Sequence, residues 1–234
     1  MAPASPTLER ILEFAIGWAR EAGAITLQHF GAVLSSQTKG DGTPVTIADR
    51  AAETLLRNKI GAEYPDHGIL GEEYGETNPG ASIRWILDPI DGTRSFVRGV
   101  PIYGVLIGVE VDGVPAVGVA HFPALGETVG AARGHGCLWN GKPARVSPIR
   151  TLSDAAALTT DPVELLEGPV ASGWETLVRL TSLARTWGDC YGHILVATGR
   201  AEIMIDPVLS PWDAAPFVPI LEEAGGRFTD LAGK

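Results

Sequence analysis

Hydrophobic periodicity changes twice along this chain, and that change limits the fold more than any figure of composition. Residues 7–30 carry Leu8, Ile11, Leu12, Ala15, Ala19, Ala22 and Ile25 at helical spacing behind a Ser5-Pro6-Thr7 start signal, which predicts an amphipathic helix. After the polar Lys39-Gly40-Asp41-Gly42, Thr46 can cap a second helix with Ala48, Ala52, Leu55, Leu56 and Ile60 as its apolar stripe. Tyr64-Pro65-Asp66 stops it, and Asp49 lies in its first turn. From Ile83 the period falls to two. Strands are predicted over 83–87, 103–111, 114–120 and 128–132, with a turn at Asp112-Gly113, forming a mostly antiparallel meander. Helical spacing returns over 174–183 and 191–198, then a short strand over 202–205 and a helix over 212–224 closed by Gly225-Gly226. Helices before, between and after strands imply layered α and β. With no internal repeat or linker-like run in 234 residues, the chain reads as one unit of two lobes, roughly 1–135 and 136–234.

The formal net charge is -10, which repels a nucleic-acid backbone and disfavours such a partner. An acidic surface would also repel a small phosphate; bound divalent cations resolve that conflict. Cys137 and Cys190 are the only cysteines, too few for a disulfide framework, and with no export pattern at the start they favour a reducing compartment, read as the cytoplasm. Apolar stretches are broken well before the roughly 20 residues of a membrane span.

Acidic residues gather where the predicted elements end: Glu72-Glu73, Asp88-Pro89-Ile90-Asp91-Gly92-Thr93 and Trp212-Asp213. The apolar run Trp85-Ile86-Leu87 ends on Asp88, and Pro89 removes a backbone donor while biasing Asp88 to an extended conformation. Asp88, Asp91 and the Ile90 carbonyl can converge on one cation, and all-oxygen ligands suit magnesium better than zinc. Gly92 permits close backbone approach, so its amide and that of Thr93, with the Thr93 hydroxyl, can seat a phosphate beside the metal. Taken alone, the same hexapeptide also reads as an ordinary turn.

It does not stand alone. Gly71-Glu72-Glu73, Trp85-Ile86-Leu87-Asp88-Pro89-Ile90-Asp91-Gly92-Thr93, and Trp212-Asp213-Ala214-Ala215 with Glu223-Ala224-Gly225-Gly226 resemble, in order and spacing, the signatures of the inositol monophosphatase family over essentially the whole chain. Pro44-Val45-Thr46-Ile47-Ala48-Asp49, with Glu53 four residues on, matches its early helix motif. The resemblance implies the layered αβαβα sandwich of the inositol monophosphatase and fructose-1,6-bisphosphatase type, a homodimer, and two to three magnesium ions. It gives Glu72, Asp88 and the Ile90 carbonyl to the first ion, Asp88, Asp91 and Asp213 to the second, and Glu72 through water to a third. Asp49 and Thr93 would orient the attacking water, with Glu72 accepting its proton, in an in-line displacement at phosphorus without a phosphoenzyme. Glu73 is read as a solvated neighbour or a support to the ligands, and Trp212 as a core aromatic. The cysteines and the five histidines have no metal-ligand spacing and are read as structural or surface.

Substrate choice falls to the second half. The segment from Arg185 to Gly192, Ala201-Glu202-Ile203-Met204-Ile205-Asp206-Pro207 and His121-Phe122-Pro123-Ala124-Leu125-Gly126-Glu127 resemble the histidinol-phosphate phosphatase branch more than enzymes acting on inositol phosphates. Histidinol carries an ammonium and an imidazole, so its pocket calls for acidic groups opposite the phosphate seat. Asp189 and Asp206 are the candidates, with Asp91 and Arg185 also assigned to substrate; a helix cap and a turn former are their bland alternatives. The rival activities are an inositol-1-phosphate phosphatase and a broad sugar phosphatase. A non-catalytic binding protein on the same scaffold is the alternative of another class, disfavoured because every metal position is filled. The chain stops at Asp230-Leu231-Ala232-Gly233-Lys234, where members of the family usually continue by a strand or two, so a truncated or short end is expected.

Overall fold

A computed structural model describes residues 6–31 and 47–234, and the backbone of 37–38 and 44–45. The glycine-rich loop at 39–42 and the Thr46 cap lie outside the described residues. Helix α1 (Leu8–Leu27) starts on Thr7, whose hydroxyl accepts the Arg10 amide at 3.3 Å. Strands β1 (Gln37–Thr38) and β2 (Pro44–Val45) pair with each other, and α2 (Ile47–Glu63) follows. Then come β3 (Gly68–Gly71), β4 (Gly75–Thr77), β5 (Ile83–Asp91), α3 (Thr93–Val97), β6 (Gly104–Val111), β7 (Val114–Phe122), β8 (Glu127–Ala132), β9 (Gly136–Trp139) and β10 (Lys142–Pro143). The rest consists of β11 (Ala156–Leu158), α4 (Pro162–Glu167), α5 (Ala171–Leu180), β12 (Leu183–Arg185), α6 (Asp189–Ala197), β13 (Ile203–Met204), α7 (Pro211–Ala214) and α8 (Phe217–Glu223).

The large sheet has the order β10-β9-β8-β7-β6-β5-β3-β4 and is antiparallel except where β3 runs parallel to β5. Alternation along its strands gives two apolar faces. Trp85, Leu87, Val105, Ile107, Val117 and Val119 pack on α1 and α2, whereas Leu106, Ala120, Phe122, Val129 and Ala131 pack on α6 and α8. On the far side of α6 lies the small parallel sheet β12-β11-β13, with Leu158 against Leu195 and Ala201. Ala157 meets Leu165 of α4 and Trp174 of α5. Helix, sheet, helix, sheet, helix is the layered αβαβα sandwich.

Several boundaries differ from the sequence reading. Strand β5 does not stop before Asp88 but runs through Pro89 to Asp91. The helix expected over 212–224 is two, α7 and α8, because Pro216 has no N–H to continue the ladder. The helix expected over 174–183 spans Ala171–Leu180, since Leu183 is taken by β12. The short β3, β11 and α4 gave no periodic signal, being only three to six residues long.

The α8 layer lies so close to β7 that a Cβ at Gly118 would run into the Pro216 carbonyl and lie 3.0 Å from Pro219 Cγ. Gly118→Ala is expected to destabilise the protein by about 1–3 kcal/mol through overpacking, read as a lower urea midpoint at unchanged m-value. An unshifted midpoint contradicts the packing described.

Candidate active site

The site begins with an irregularity in β5. Asp88 pairs with Leu106 and Asp91 with Gly104, so Pro89 and Ile90 stand opposite the single residue Val105. This is a β-bulge, and Pro89 occupies it because a bulge demands no ladder donor there. In a regular strand, residues three apart point to opposite faces. The extra residue cancels that inversion and sets Asp88 and Asp91 toward one side, while the Ile90 side chain is buried with Ala48, Phe96 and Tyr103. The Ile90 amide donates to Asp88 Oδ1 at 3.0 Å. Asp213 arrives from α7, where a capping box holds it: the Ser210 amide donates to Asp213 Oδ2 at 2.7 Å. Oxygens of Asp88, Asp91 and Asp213 all lie within 4.8 Å of one another.

Glu72 follows β3, with its amide donating to the Leu87 carbonyl at 3.2 Å. Its turn is fixed from below by Glu53, wholly buried on α2, which accepts the Glu73 amide at 2.8 Å, the Tyr74 amide at 3.2 Å and Arg57 Nε at 2.7 Å. Gly71 is required there because a Cβ would overlap the Glu53 carboxylate. Asp49 is buried in the first turn of α2. On the other side, Gly92 sits in the left-handed region (φ 78°) and opens α3, whose first amides have no partner within the helix. Thr93 Oγ1 donates to the Ile90 carbonyl at 3.0 Å.

Burial, then the charges of Glu72, Asp91, Asp213 and Asp49, push the Asp88 carboxyl well above its usual range. Asp91 is raised likewise by burial, Asp189 and Asp213, against the Cys190 amide that donates to its Oδ2 at 2.6 Å. Asp213 is raised to about 6, first by burial and then by Glu72, with the Ser210 amide and a hydrogen bond to Asp88 opposing. Burying Asp88, Asp91 and Asp213 side by side is unfavourable, and a hard divalent ion relieves their repulsion. The donor set, all oxygen and mostly anionic, fits such an ion.

Asp91 and Asp213 border a cavity that Glu164, Asp189, His193 and Asp206 also line, and which no lysine or arginine lines among the described residues. Asp189 opens α6 with a left-handed backbone (φ 49°), and its Oδ2 accepts from Ser95 Oγ at 2.9 Å. Arg185, assigned to substrate from the sequence, is instead exposed at the end of β12 and bonds the Ala184 carbonyl. Of the two readings of Glu73, that of a solvated neighbour is removed: its side chain is 2% exposed and faces Arg50 Nε at 3.5 Å. The reading of Trp212 as a core aromatic is corrected. Trp212 is partly exposed and belongs to none of the buried clusters, because α7 is a short surface helix. Sequence reading missed Thr160, Glu164, His193 and Ser210. Only Ser210 had a readable signal, the Ser-x-x-Asp pattern of a capping box.

Residues 7–234 match the model of the inositol monophosphatase family. The histidinol-phosphatase of Chlorobaculum parvum is 49% identical over 224 residues, 95% of this chain and 86% of the relative. That of Mycobacterium tuberculosis is 40% identical over 232 residues, 95% and 88% of the two chains. The solved structure of a Thermotoga maritima IMPase superposes with a TM-score of 0.88 at 32% identity, covering 96% of this chain and 87% of that one. No described helix is long and apolar enough to cross a membrane.

In metal-free protein, a carboxyl raised from its ordinary 3.8 to about 6, as at Asp213, contributes stability below pH 4 and loses it as pH rises through 6. A cation restores it where the carboxylates are ionised. A divalent ion at a hundred times its Kd stabilises by about 2.7 kcal/mol, about 5–10 °C in Tm for a chain of this length. That shift is expected at pH 7.5 and should shrink at pH 5, where protons compete; calorimetry showing a larger shift at pH 5 overturns the assignment.

Proposed function

The chain belongs to the inositol monophosphatase family of metal-dependent phosphatases and is a phosphoric monoester hydrolase; on that premise we propose that it is a magnesium-dependent histidinol-phosphatase. The observation that carries the choice of substrate is the cavity beside Asp91 and Asp213, which Glu164, Asp189 and Asp206 line with carboxylates and which no lysine or arginine lines among the described residues. Histidinol phosphate brings an ammonium and an imidazole to that cavity. An inositol ring brings only hydroxyls and no positive charge. The similarity to two histidinol-phosphatases, at 49% and 40% identity, supports the same choice.

In this reading Asp88, Asp91 and Asp213 would hold magnesium, joined by Glu72 and the Ile90 carbonyl. When bound there, the ions would supply positive charge for the phosphoryl oxygens and lower the pKa of the attacking water. The amides of Gly92 and Thr93 hold non-bridging oxygens at the start of α3. Thr93 and Asp49 orient the water, and Glu72 takes its proton. The new P–O bond forms in line as the bond to the histidinol oxygen breaks; that oxygen takes a proton from solvent and leaves as the alcohol, and Glu72 returns its own proton to solvent. No enzyme group becomes phosphorylated. Asp189 and Asp206 hold the leaving group; the Asp206 carboxylate keeps unused lone pairs beyond those it gives to Thr160.

Two measurements test this. Asp91→Asn removes one ligand charge and little volume, so turnover should be lost at low magnesium with Tm little changed; near wild-type turnover refutes the metal role. Asp189→Asn keeps a side chain that tolerates the left-handed backbone, and a charge-assisted contact is worth about 1.5–3 kcal/mol. Its kcat/KM for histidinol phosphate should therefore fall about tenfold to a hundredfold, while that for glycerol phosphate barely moves. Equal losses on both, or a wild-type preference for inositol phosphate, remove the histidinol assignment.

A further inference from the structure

We propose that Thr160 is a positioning residue that sets the spacing of Asp189 and Asp206, and through it the selectivity for a cationic leaving group; this rests on the histidinol-phosphate reading above. The topology places it between them. In the small parallel sheet β11 is central, with β12 on one side and β13 on the other. Thr160 lies two residues past the end of β11, Asp206 two past the end of β13, and Asp189 opens the helix that follows β12. All three gather at the carboxyl ends of parallel strands, where loops of such sheets bind ligands.

The hydrogen bonds use every group Thr160 has to offer at this end. Its hydroxyl proton goes to Asp206 Oδ2 at 2.9 Å, its amide goes to Asp206 Oδ1 at 2.9 Å, and its hydroxyl oxygen accepts the Asp189 amide at 2.8 Å. Two bonds from one residue fix the plane of the Asp206 carboxylate, and the third ties that plane to the start of α6. His193 Nε2 stands 3.5 Å from Asp206 Oδ2, too far for a directional bond, so it does not duplicate the support. Packing closes the arrangement: a side chain at Gly188 would collide with Thr160, within 2.6 Å of its Oγ1. The Asp189 carboxylate is then held on its other flank by Ser95 Oγ at 2.9 Å. Removing the Thr160 hydroxyl leaves the Asp189 amide without its acceptor and frees one oxygen of Asp206. Asp88 and Asp213 are supported elsewhere, by the Ile90 and Ser210 amides, and the Cys190 amide, one residue along α6, keeps its own bond to Asp91.

Thr160→Val removes the hydroxyl and keeps the branched shape and the amide. Expected is a fall of about tenfold in kcat/KM for histidinol phosphate, carried by KM with kcat little changed, while glycerol phosphate is hydrolysed as before. Thr160→Ser should restore the wild-type values. Should the valine variant melt below the assay temperature, Thr160→Ala removes the hydroxyl without placing a methyl group where it stood and gives the same reading. Equal losses on both substrates, a loss in kcat alone, or no rescue by serine overturns the proposal. A wild-type enzyme without preference for the cationic substrate overturns the functional reading and this inference together. A wild-type preference that survives Thr160→Val overturns this inference alone.

Discussion

One inserted residue in β5 decides how the rest of the molecule is arranged. By breaking the two-residue alternation between Asp88 and Asp91, the bulge at Pro89 and Ile90 turns two carboxylates toward the same side of the sheet, where Asp213 joins them. Three such groups so close repel one another, and burial adds to the cost. They stay together because each is anchored to backbone: Asp88 to the Ile90 amide, Asp91 to that of Cys190, Asp213 to that of Ser210. The anchors come from three separate parts of the chain. The fold therefore converges on this point, and the site is not an addition to a finished scaffold.

How much of this is legible in the sequence depends on the range of the interaction. The long helices and meander strands announce themselves by period, and α1 and α2 lie where that period puts them. The acidic cluster is legible because the Asp-Pro-x-Asp-Gly-Thr run, an ordinary turn when alone, stands in order with Gly-Glu-Glu and Trp-Asp, and Asp88, Asp91 and Asp213 do meet. What is not legible is what depends on pairing at a distance. The bulge exists only relative to β6, and the single helix expected over 212–224 conceals the Pro216 break that frees α7. Glu53 is visible as a motif position, but its service to the Glu73 and Tyr74 amides depends on a turn some twenty residues away. Thr160 has no local mark at all: its partners lie 29 and 46 residues off. Arg185 shows the converse, a residue inside a telling segment whose side chain faces solvent.

The two sheets divide the work. The large one, through β3, β5 and their turns, supplies Glu72, Asp88, Asp91 and the glycine turn into α3. The small one gathers Thr160, Asp189 and Asp206. Helix α6 belongs to both: Asp189 lines the cavity, and the next residue in the chain, Cys190, holds Asp91 through its amide.

That adjacency sets which positions are free to drift if such an enzyme is to acquire a new substrate. Glu164 is exposed on α4, and a change there alters the cavity without touching a support of Asp88, Asp91 or Asp213. Asp189 has no such latitude. It lies against Gly92, where an added Cβ would come within 2.9 Å of its carboxylate, and it has a left-handed backbone that few residues adopt. A bulky or branched replacement would shift the start of α6 and with it the amide on Asp91. Evolution of specificity in this scaffold is thus channelled toward the rim of the cavity, while its floor is tied to the same backbone that makes catalysis possible at all.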